Sequence, residues 1–358
     1  MSQSINSTAA RTQNSSASDA QVGNHADLAS LNGTVLIALG RGATSLRAYQ
    51  FDAVGNVLAT RASSVRAMNL PRTAADGGFG AKCGAWLDQR PELPVVATDM
   101  VGSAHGWKEA PYVDAPADTD SLVAGIVCVK ASCGFTIPIA PEEMQRGELP
   151  NAMCGEETPI FGALAGNPPV SNGAIDANEL IGLPSTHAKW ALVCGACIER
   201  FYTFAKGKVF KALRAYTTLC RTMIAPELPD IGAFPCDISI ARDNCIVGVL
   251  STCTLGLPRK LASNERPDYL LGLLINDELA DLKVVLPQQK SSLNGKLLSL
   301  IGNDALSERY RSHSHNSATL RPHPIRDGTW PAAHRHAGWS RPAAETRVDT
   351  GVATWSAS

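Results

Sequence analysis

Apolar and polar positions follow two different rhythms along this chain. Residues 34–39 (TVLIAL) form an unbroken apolar run, as expected of a strand buried on both faces. Residues 46–51 (LRAYQF) alternate with period two and predict a second strand; 52–56 (DAVGN) carry turn chemistry, and 57–61 begin a third strand. Residues 94–97 (PVVA) predict a further strand that feeds a polar loop after Asp99. The pattern then changes. Residues 159–164 start a helix with Pro159 in the first turn, where its missing N–H costs nothing. Residues 190–193 and 198–202 flank Cys194-Gly-Ala-Cys197 as a hairpin. Residues 208–223 place Val209, Phe210, Leu213, Tyr216, Cys220 and Met223 at helical spacing, and 267–282 predict another helix. Residues 297–301, Gly302 and a helix through Tyr310 complete a strand–glycine–helix unit. Strand meanders followed by helices occur twice, which points to an α/β fold with two similar lobes.

The flanks break the pattern. Residues 1–33 hold seven serines and only Ile5, Val22, Leu28 and Leu31 as large aliphatics, so they read as a disordered leader. Residues 312–358 hold five of the eight histidines and three of the six tryptophans, no lysine and no helix or strand period. They read as a disordered tail or as a frame-shifted translation, with a metal-binding histidine tract as a further reading. The folding unit is then 34–311, divided into lobes of 34–180 and 181–311. A hydrophobic content of 44% supports a sizeable core, and a formal net charge of −1 gives no reason to expect a nucleic acid or a membrane surface as partner. No apolar run spans a bilayer, and the N-terminus lacks a Sec-type signal. Ten scattered cysteines without a disulfide framework suit a cytoplasmic protein. The charged fraction, 18%, lies below the roughly 25% of ordinary soluble domains.

Five segments carry candidate chemistry. Gly40-x-Gly42-x-x-Ser45 follows a strand, but a dinucleotide fingerprint would open a helix and this one opens a second strand. A phosphate-holding hairpin or a plain turn remains. The loop from Asp99 to Tyr112, with two glycines and two aromatics, suits either sugar binding or a long structural connection. Cys154-Gly-Glu-Glu-Thr158 sets Glu156 and Glu157 at a helix start, either to complement the helix dipole or to present a general base. Pro184-Ser-Thr-His-Ala-Lys-Trp190 is either a polar turn or a phosphate loop using Thr186 and Lys189. Cys194-x-x-Cys197 has no second pair or nearby histidines, which leaves a hairpin tip as the simpler reading over zinc.

In this order the segments resemble the 2-dehydro-3-deoxygalactonokinase family of sugar-acid kinases, within the actin-like ATPase superfamily. The resemblance lies in Gly40 to Ala48, Asp99 to Trp107 with Ala110 to Tyr112, Met153 to Pro159, Pro184 to Trp190, Phe201 with Thr203 and Gly207, Tyr269 to Ile275, and Ile301 to Tyr310. It implies two ribonuclease-H-like lobes around an interlobe cleft, with ATP and Mg2+ as cofactors and a sugar acid phosphorylated at its 6-hydroxyl. It implies Glu156 as general base with Glu157 as second choice. Gly42, Thr44, Thr186, His187, Lys189 and Gly302 would hold the nucleotide. Arg47, Met100, Gly102, Ser103, Trp107 and Tyr112 would contact the substrate.

The chain departs from the family pattern at motif positions. The family's first-strand Asp, expected to hold Mg-bound water, is Gly40, and its Trp neighbour is Arg41. The Arg before Gly-Glu-Glu-Thr is Cys154, the second-lobe loop Gly is Ser185, and a Thr-Gly-Glu is Lys206-Gly-Lys208. Two readings follow: a sugar-acid kinase, or a catalytically impaired pseudokinase or decayed gene product of the same family, with or without ligand binding. The resemblance ends near Arg311, where family members continue into a last strand and helix.

Overall fold

In the computed structural model the described residues are 28–41, 46–53, 55–63, 72–166, 178–217, 223, 262–286, 297–302, 306–311 and 321–322. The chain divides into two compact units, one of residues 1–109 and 127–139, the other of 110–126 and 140–358.

The first unit is built on β1 (Leu36–Arg41), whose Ile37, Ala38 and Leu39 are fully buried. On one side β2 (Leu46–Phe51) and β3 (Val57–Ser63) continue it as an antiparallel meander. On the other, β4 (Val95–Asp99) runs parallel to it. Beyond β4 come β7 (Thr136–Ile139), parallel, and β6 (Val127–Lys130), antiparallel, giving the order β3-β2-β1-β4-β7-β6. Helix α1 (Arg72–Gln89) joins β3 to β4 and buries Phe79, Cys83, Trp86 and Leu87 on one stripe.

The second unit repeats the design. β10 (Asn178–Leu183), β11 (Ala188–Cys194) and β12 (Cys197–Phe204) form the meander, and β13 (Leu297–Leu300) and β14 (Arg321–Pro322) add in parallel. The order β12-β11-β10-β13-β14 matches that of the first five strands of the other sheet, the ribonuclease-H-like order. Helix α5 (Arg266–Val285) sets Ile275, Leu279 and Leu282 into one core cluster with Trp190, Tyr202 and Leu300. Helix α4 (Lys206–Tyr216) follows the meander and contains no buried residue. A three-stranded sheet of β5 (Val113–Asp114), β8 (Glu143–Gln145) and β9 (Asn151–Met153) leads into α3 (Glu157–Gly166). Asp118 accepts from the Ser121 N–H and caps the short α2 (Thr119–Ala124).

Two expectations need correction. Residues 28–33 belong to the fold and not to a disordered leader. Ser30–Gly33 make a 3-10 turn with Leu31 buried, and Arg90 donates to the Leu31 carbonyl at 2.8 Å. A single well-placed leucine anchors a segment whose average composition is polar. The helix expected over 208–223 starts at Lys206 and ends at Tyr216, because Thr217 is extended (φ −117°, ψ 171°) and its hydroxyl donates to the Leu213 carbonyl. Residues 1–27, 312–320 and 323–358 lie outside the described residues, so the histidine-rich segment is represented only by β14.

Candidate functional site

The carboxylates of the second unit gather where the small sheet meets α3. Glu143 lies in mid-sheet, between Val113 of β5 and Met153 of β9, and is fully buried. Neither of its carboxyl oxygens has a hydrogen-bond partner. Burial, and then the charge of Glu157, push its pKa up to about 9. Next to it in sequence, Glu142 accepts from the Cys154 thiol at 3.2 Å, and its charge, after burial, pushes the nearby Tyr112 hydroxyl up. The tight turn before α3 is closed by its own acids. The Cys154 N–H donates to Glu156 at 2.8 Å, and the Gly155 N–H donates to Glu157 at 2.9 Å. Gly155 sits at φ +109°, a conformation that glycine adopts without strain. The two glutamates then diverge. Glu156 is half-buried, whereas Glu157 is 1% exposed and burial raises its carboxyl to about 8, with the neighbouring Glu156 and Glu142 adding to the rise.

A second feature of this unit is the turn between β10 and β11. The Ser185 hydroxyl donates to the His187 carbonyl at 2.8 Å, and the His187 N–H donates back to it at 3.2 Å. The loop leans on the start of α4. Lys208 N–H donates to the Thr186 carbonyl, Lys211 Nζ donates to the Thr186 hydroxyl at 2.9 Å, and a Cβ on Gly207 would lie 2.6 Å from the Ser185 carbonyl oxygen. Burial, then the Lys208 and Lys189 ammoniums, hold the His187 imidazole below its ordinary pKa. Behind this loop opens a pocket of about 200 Å³ that Thr186, Lys206, Phe210, Lys211, Ile275 and Tyr310 help to line. Lys206 is paired with Asp277 and Asp281 of α5. The pocket wall is braced from behind by buried Glu278, which accepts from Trp190 Nε1 at 2.7 Å and from the Tyr310 hydroxyl at 3.0 Å. Burial raises the Glu278 carboxyl to about 7.

The first unit contributes the loop that follows β4. Gly102 N–H donates to the Asp99 carbonyl, and the Ser103 hydroxyl donates to the Met100 carbonyl at 2.9 Å. Trp107 N–H closes the loop on Val101, and its ring packs on Phe79 of α1 with centroids 5.6 Å apart. A Cβ at Gly106 would come within 2.2 Å of the Val101 carbonyl oxygen, so this turn admits only glycine. Arg47 is exposed on β2 opposite Gly40.

The expected residues thus fall into separate groups. Glu156, Glu157 and Tyr112 share the acidic cluster, and Thr186 and His187 share the loop beside the pocket. Met100, Gly102, Ser103 and Trp107 share the loop after β4. Gly302, at φ +153°, follows β13, and a Cβ there would sit 3.5 Å from the Pro184 carbonyl oxygen. Lys189 is 6% exposed, and its ammonium donates to the Ala152 carbonyl and the Thr203 hydroxyl, both at 2.7 Å, tying β9 to the meander. Gly42 and Thr44 lie outside the described residues. Glu142, Glu143, Lys211 and Glu278 were not singled out from sequence. Glu142-Glu143 stands out only as an acidic pair beside the apolar segment 137–141, and the others carry no local signal.

A family model described as 2-keto-3-deoxy-galactonokinase matches residues 41–322, running past Arg311. A probable 2-dehydro-3-deoxygalactonokinase of Rhizobium meliloti (strain 1021) is 30% identical over 280 residues, covering 76% of this chain and 86% of that protein. The 2-dehydro-3-deoxygalactonokinase of Escherichia coli (strain K12) is 27% identical over 282 residues, covering 77% and 87%. A crystal structure of a protein provisionally named 2-dehydro-3-deoxygalactonokinase, from Sinorhizobium meliloti, superposes with a TM-score of 0.69 at 26% identity, covering 84% of this chain and 96% of that one.

Proposed function

Because this chain belongs to the 2-keto-3-deoxy-galactonokinase family, we propose that it transfers the γ-phosphoryl group of ATP to the 6-hydroxyl of 2-dehydro-3-deoxy-D-galactonate. The observation that carries this reading is the extent of the similarity, which covers 86% of a relative bearing that activity in its name and runs through both units. The impaired-remnant reading is not favoured, since the relatives of comparable length are named as kinases.

Glu156 is the better general base. A base must be ionised to accept the substrate proton. Glu157, fully buried and raised to about 8, holds its proton at neutral pH, and its role is to accept the Gly155 N–H and fix the turn. Glu156 is half-buried and oriented by the Cys154 N–H. The pocket behind Thr186 has the character a nucleoside needs, with Phe210 and Ile275 for a base and ribose, and with Thr186 and Lys211 at the rim for phosphate oxygens. Among the described residues no three His, Cys, Asp or Glu side chains converge as a metal cage. This fits Mg2+ in phosphoryl transfer, which needs only one or two carboxylates besides the nucleotide phosphates. When bound, it would neutralise charge on those phosphates. The protein's own part is to position the sugar hydroxyl against Glu156 and to exclude water.

The test is ATP consumption coupled to phosphorylation of 2-dehydro-3-deoxygalactonate. Glu156→Gln is expected to lower kcat by about 10²–10⁴-fold, while Glu157→Gln, which mimics the neutral acid, retains most of it. Equal turnover by wild type and Glu156→Gln would sink the assignment.

A further inference from the structure

Cys194-Gly-Ala-Cys197 forms the tip of the β11–β12 hairpin, and nothing in phosphoryl transfer calls for two thiols there. The two cysteines are direct register partners, the last pair of the ladder before the turn. Gly195, at φ +61°, takes the first central position, where a two-residue loop of type II′ calls for glycine. Register partners in an antiparallel ladder stand about 4.5–5.5 Å apart at Cα and project their side chains to one face. A disulfide spans about 4.4–6.8 Å between Cα atoms. The strand pairing therefore holds both residues within bridging range before any bond forms.

The hairpin tip is held firmly. One step back, Val193 pairs with Ile198, and both are fully buried in one core cluster. Ile198 also exchanges two backbone hydrogen bonds with Ala117, at 3.1 and 2.8 Å. The two thiols are free and half-buried, so a small reagent can reach them. Among the described residues they are the only cysteines paired across a strand ladder. Zinc does not account for them. Two thiolates are half of a structural zinc set, and among the described residues no third His, Cys, Asp or Glu joins them. Burial, then the charges of Asp118, Glu143 and Glu199, push the Cys197 thiol up, so the first attack falls to Cys194.

We propose that Cys194 and Cys197 are a thiol–disulfide exchange site that takes a low-molecular-weight disulfide as its oxidant and closes a reversible bridge across the hairpin tip. The Cys194 thiolate attacks one sulfur of the small disulfide, whose S–S bond breaks, and one small thiol leaves. Cys197 then gives up its proton and attacks the Cys194 sulfur of the mixed disulfide, and the second small thiol leaves. The two cysteine sulfurs lose two electrons in total. The oxidant gains them and takes up the two protons that the cysteines release. A loop this short gains little from closure, so the bridge follows the surrounding redox poise and the fold does not depend on it.

The experiment is peptide mapping by mass spectrometry of the full chain after exposure to glutathione disulfide, with remaining thiols alkylated. The wild-type peptide carrying 194–197 is expected to lose the mass of two hydrogens, and dithiothreitol should restore it. Cys197→Ser should retain one glutathione on Cys194, and Cys194→Ser should react more slowly. Alkylation of both cysteines in exposed wild type would overturn the proposal, as would a wild-type tip that carries glutathione without closing. Glutathione on Cys194→Ser but not on Cys197→Ser would overturn the order of attack. The wild-type measurement stands by itself if either variant fails to fold, and no outcome depends on the kinase reading.

Discussion

Cys154 stands at the centre of the acidic cluster, and its consequences are felt in protonation. An arginine there, as in the pattern this chain resembles, would offer a cation to Glu142, Glu156 and Glu157; a cysteine thiol offers one weak donor, which goes to Glu142. Burial, with no cation among the described residues beside them to offset it, leaves Glu143 and Glu157 their protons, at about 9 and about 8 against 4.5 for an ordinary carboxyl group. A carboxyl raised on folding binds more protons in the native state than in the unfolded one. Its contribution to stability is complete below pH 4.5 and is lost as pH rises through the folded value. The melting temperature is expected to fall by several degrees between pH 5 and pH 9. Glu143→Gln, neutral at every pH, should flatten that fall, and Cys154→Arg should do so by pairing the charges. Melting curves at the two pH values check this, and an unchanged slope in both variants would refute the account. At this scale Glu156 and Glu157 were legible from their spacing before a helix. Glu142 and Glu143 were not, because only the pairing of β8 with β5 and β9 buries them beside α3.

Close approaches between elements make two glycines irreplaceable. A Cβ on Gly182 of β10 would meet the Trp190 ring at 2.7 Å and Leu300 at 2.9 Å. Gly182→Ala is expected to lower stability by about 1–3 kcal/mol through overpacking, read as a lower melting temperature. At Gly207 the obstruction is backbone, the Ser185 carbonyl oxygen and Thr186 Cα at 2.6 and 2.7 Å, so the loop itself must move. Gly207→Ala is expected to weaken binding of an ATP analogue in calorimetric titration while the chain still folds. Unchanged affinity would show that the Thr186 loop does not hold the nucleotide. Elements also differed in how openly they announced themselves. The strands of the first meander and the β11–β12 hairpin were readable from apolar runs, alternation and turn chemistry, whereas β10 was not. α1 was not, because Gly77, Gly78, Gly80 and Gly84 give it poor helix propensity. Its Phe79, Cys83, Trp86 and Leu87 stripe is stabilised by packing on the sheet and not by intrinsic preference.

Across the molecule, the two sheets share a strand order while their helices are unequally anchored. α5 buries more than half of its residues, whereas α4 buries none. Amide exchange is expected to be slowest in β1, β4, β10 and β11, and faster in α4, whose Phe210 and Leu213 cover the Tyr269–Leu274 cluster without being buried themselves. Because Lys211 and Gly207 of α4 border the pocket, an ATP analogue should slow exchange in α4 more than in β1. Equal protection of both, or none, would place the nucleotide elsewhere. Among the described residues no helix is long and apolar enough to cross a membrane.

From sequence alone came the α/β class, the first meander, the β11–β12 hairpin, the glutamates at the start of α3 and the loop at Thr186, because periodicity, glycines and turn chemistry are local and survive without neighbours. Tertiary structure decided the rest. It placed Leu31 in the core and spent the Lys189 ammonium between β9 and the meander. It separated Glu156 from Glu157 by burial, and it set Glu143 between Val113 and Met153 in mid-sheet. Burial and strand register join residues far apart in the chain, and no local pattern encodes which carboxylate will keep its charge or which strand end it will face.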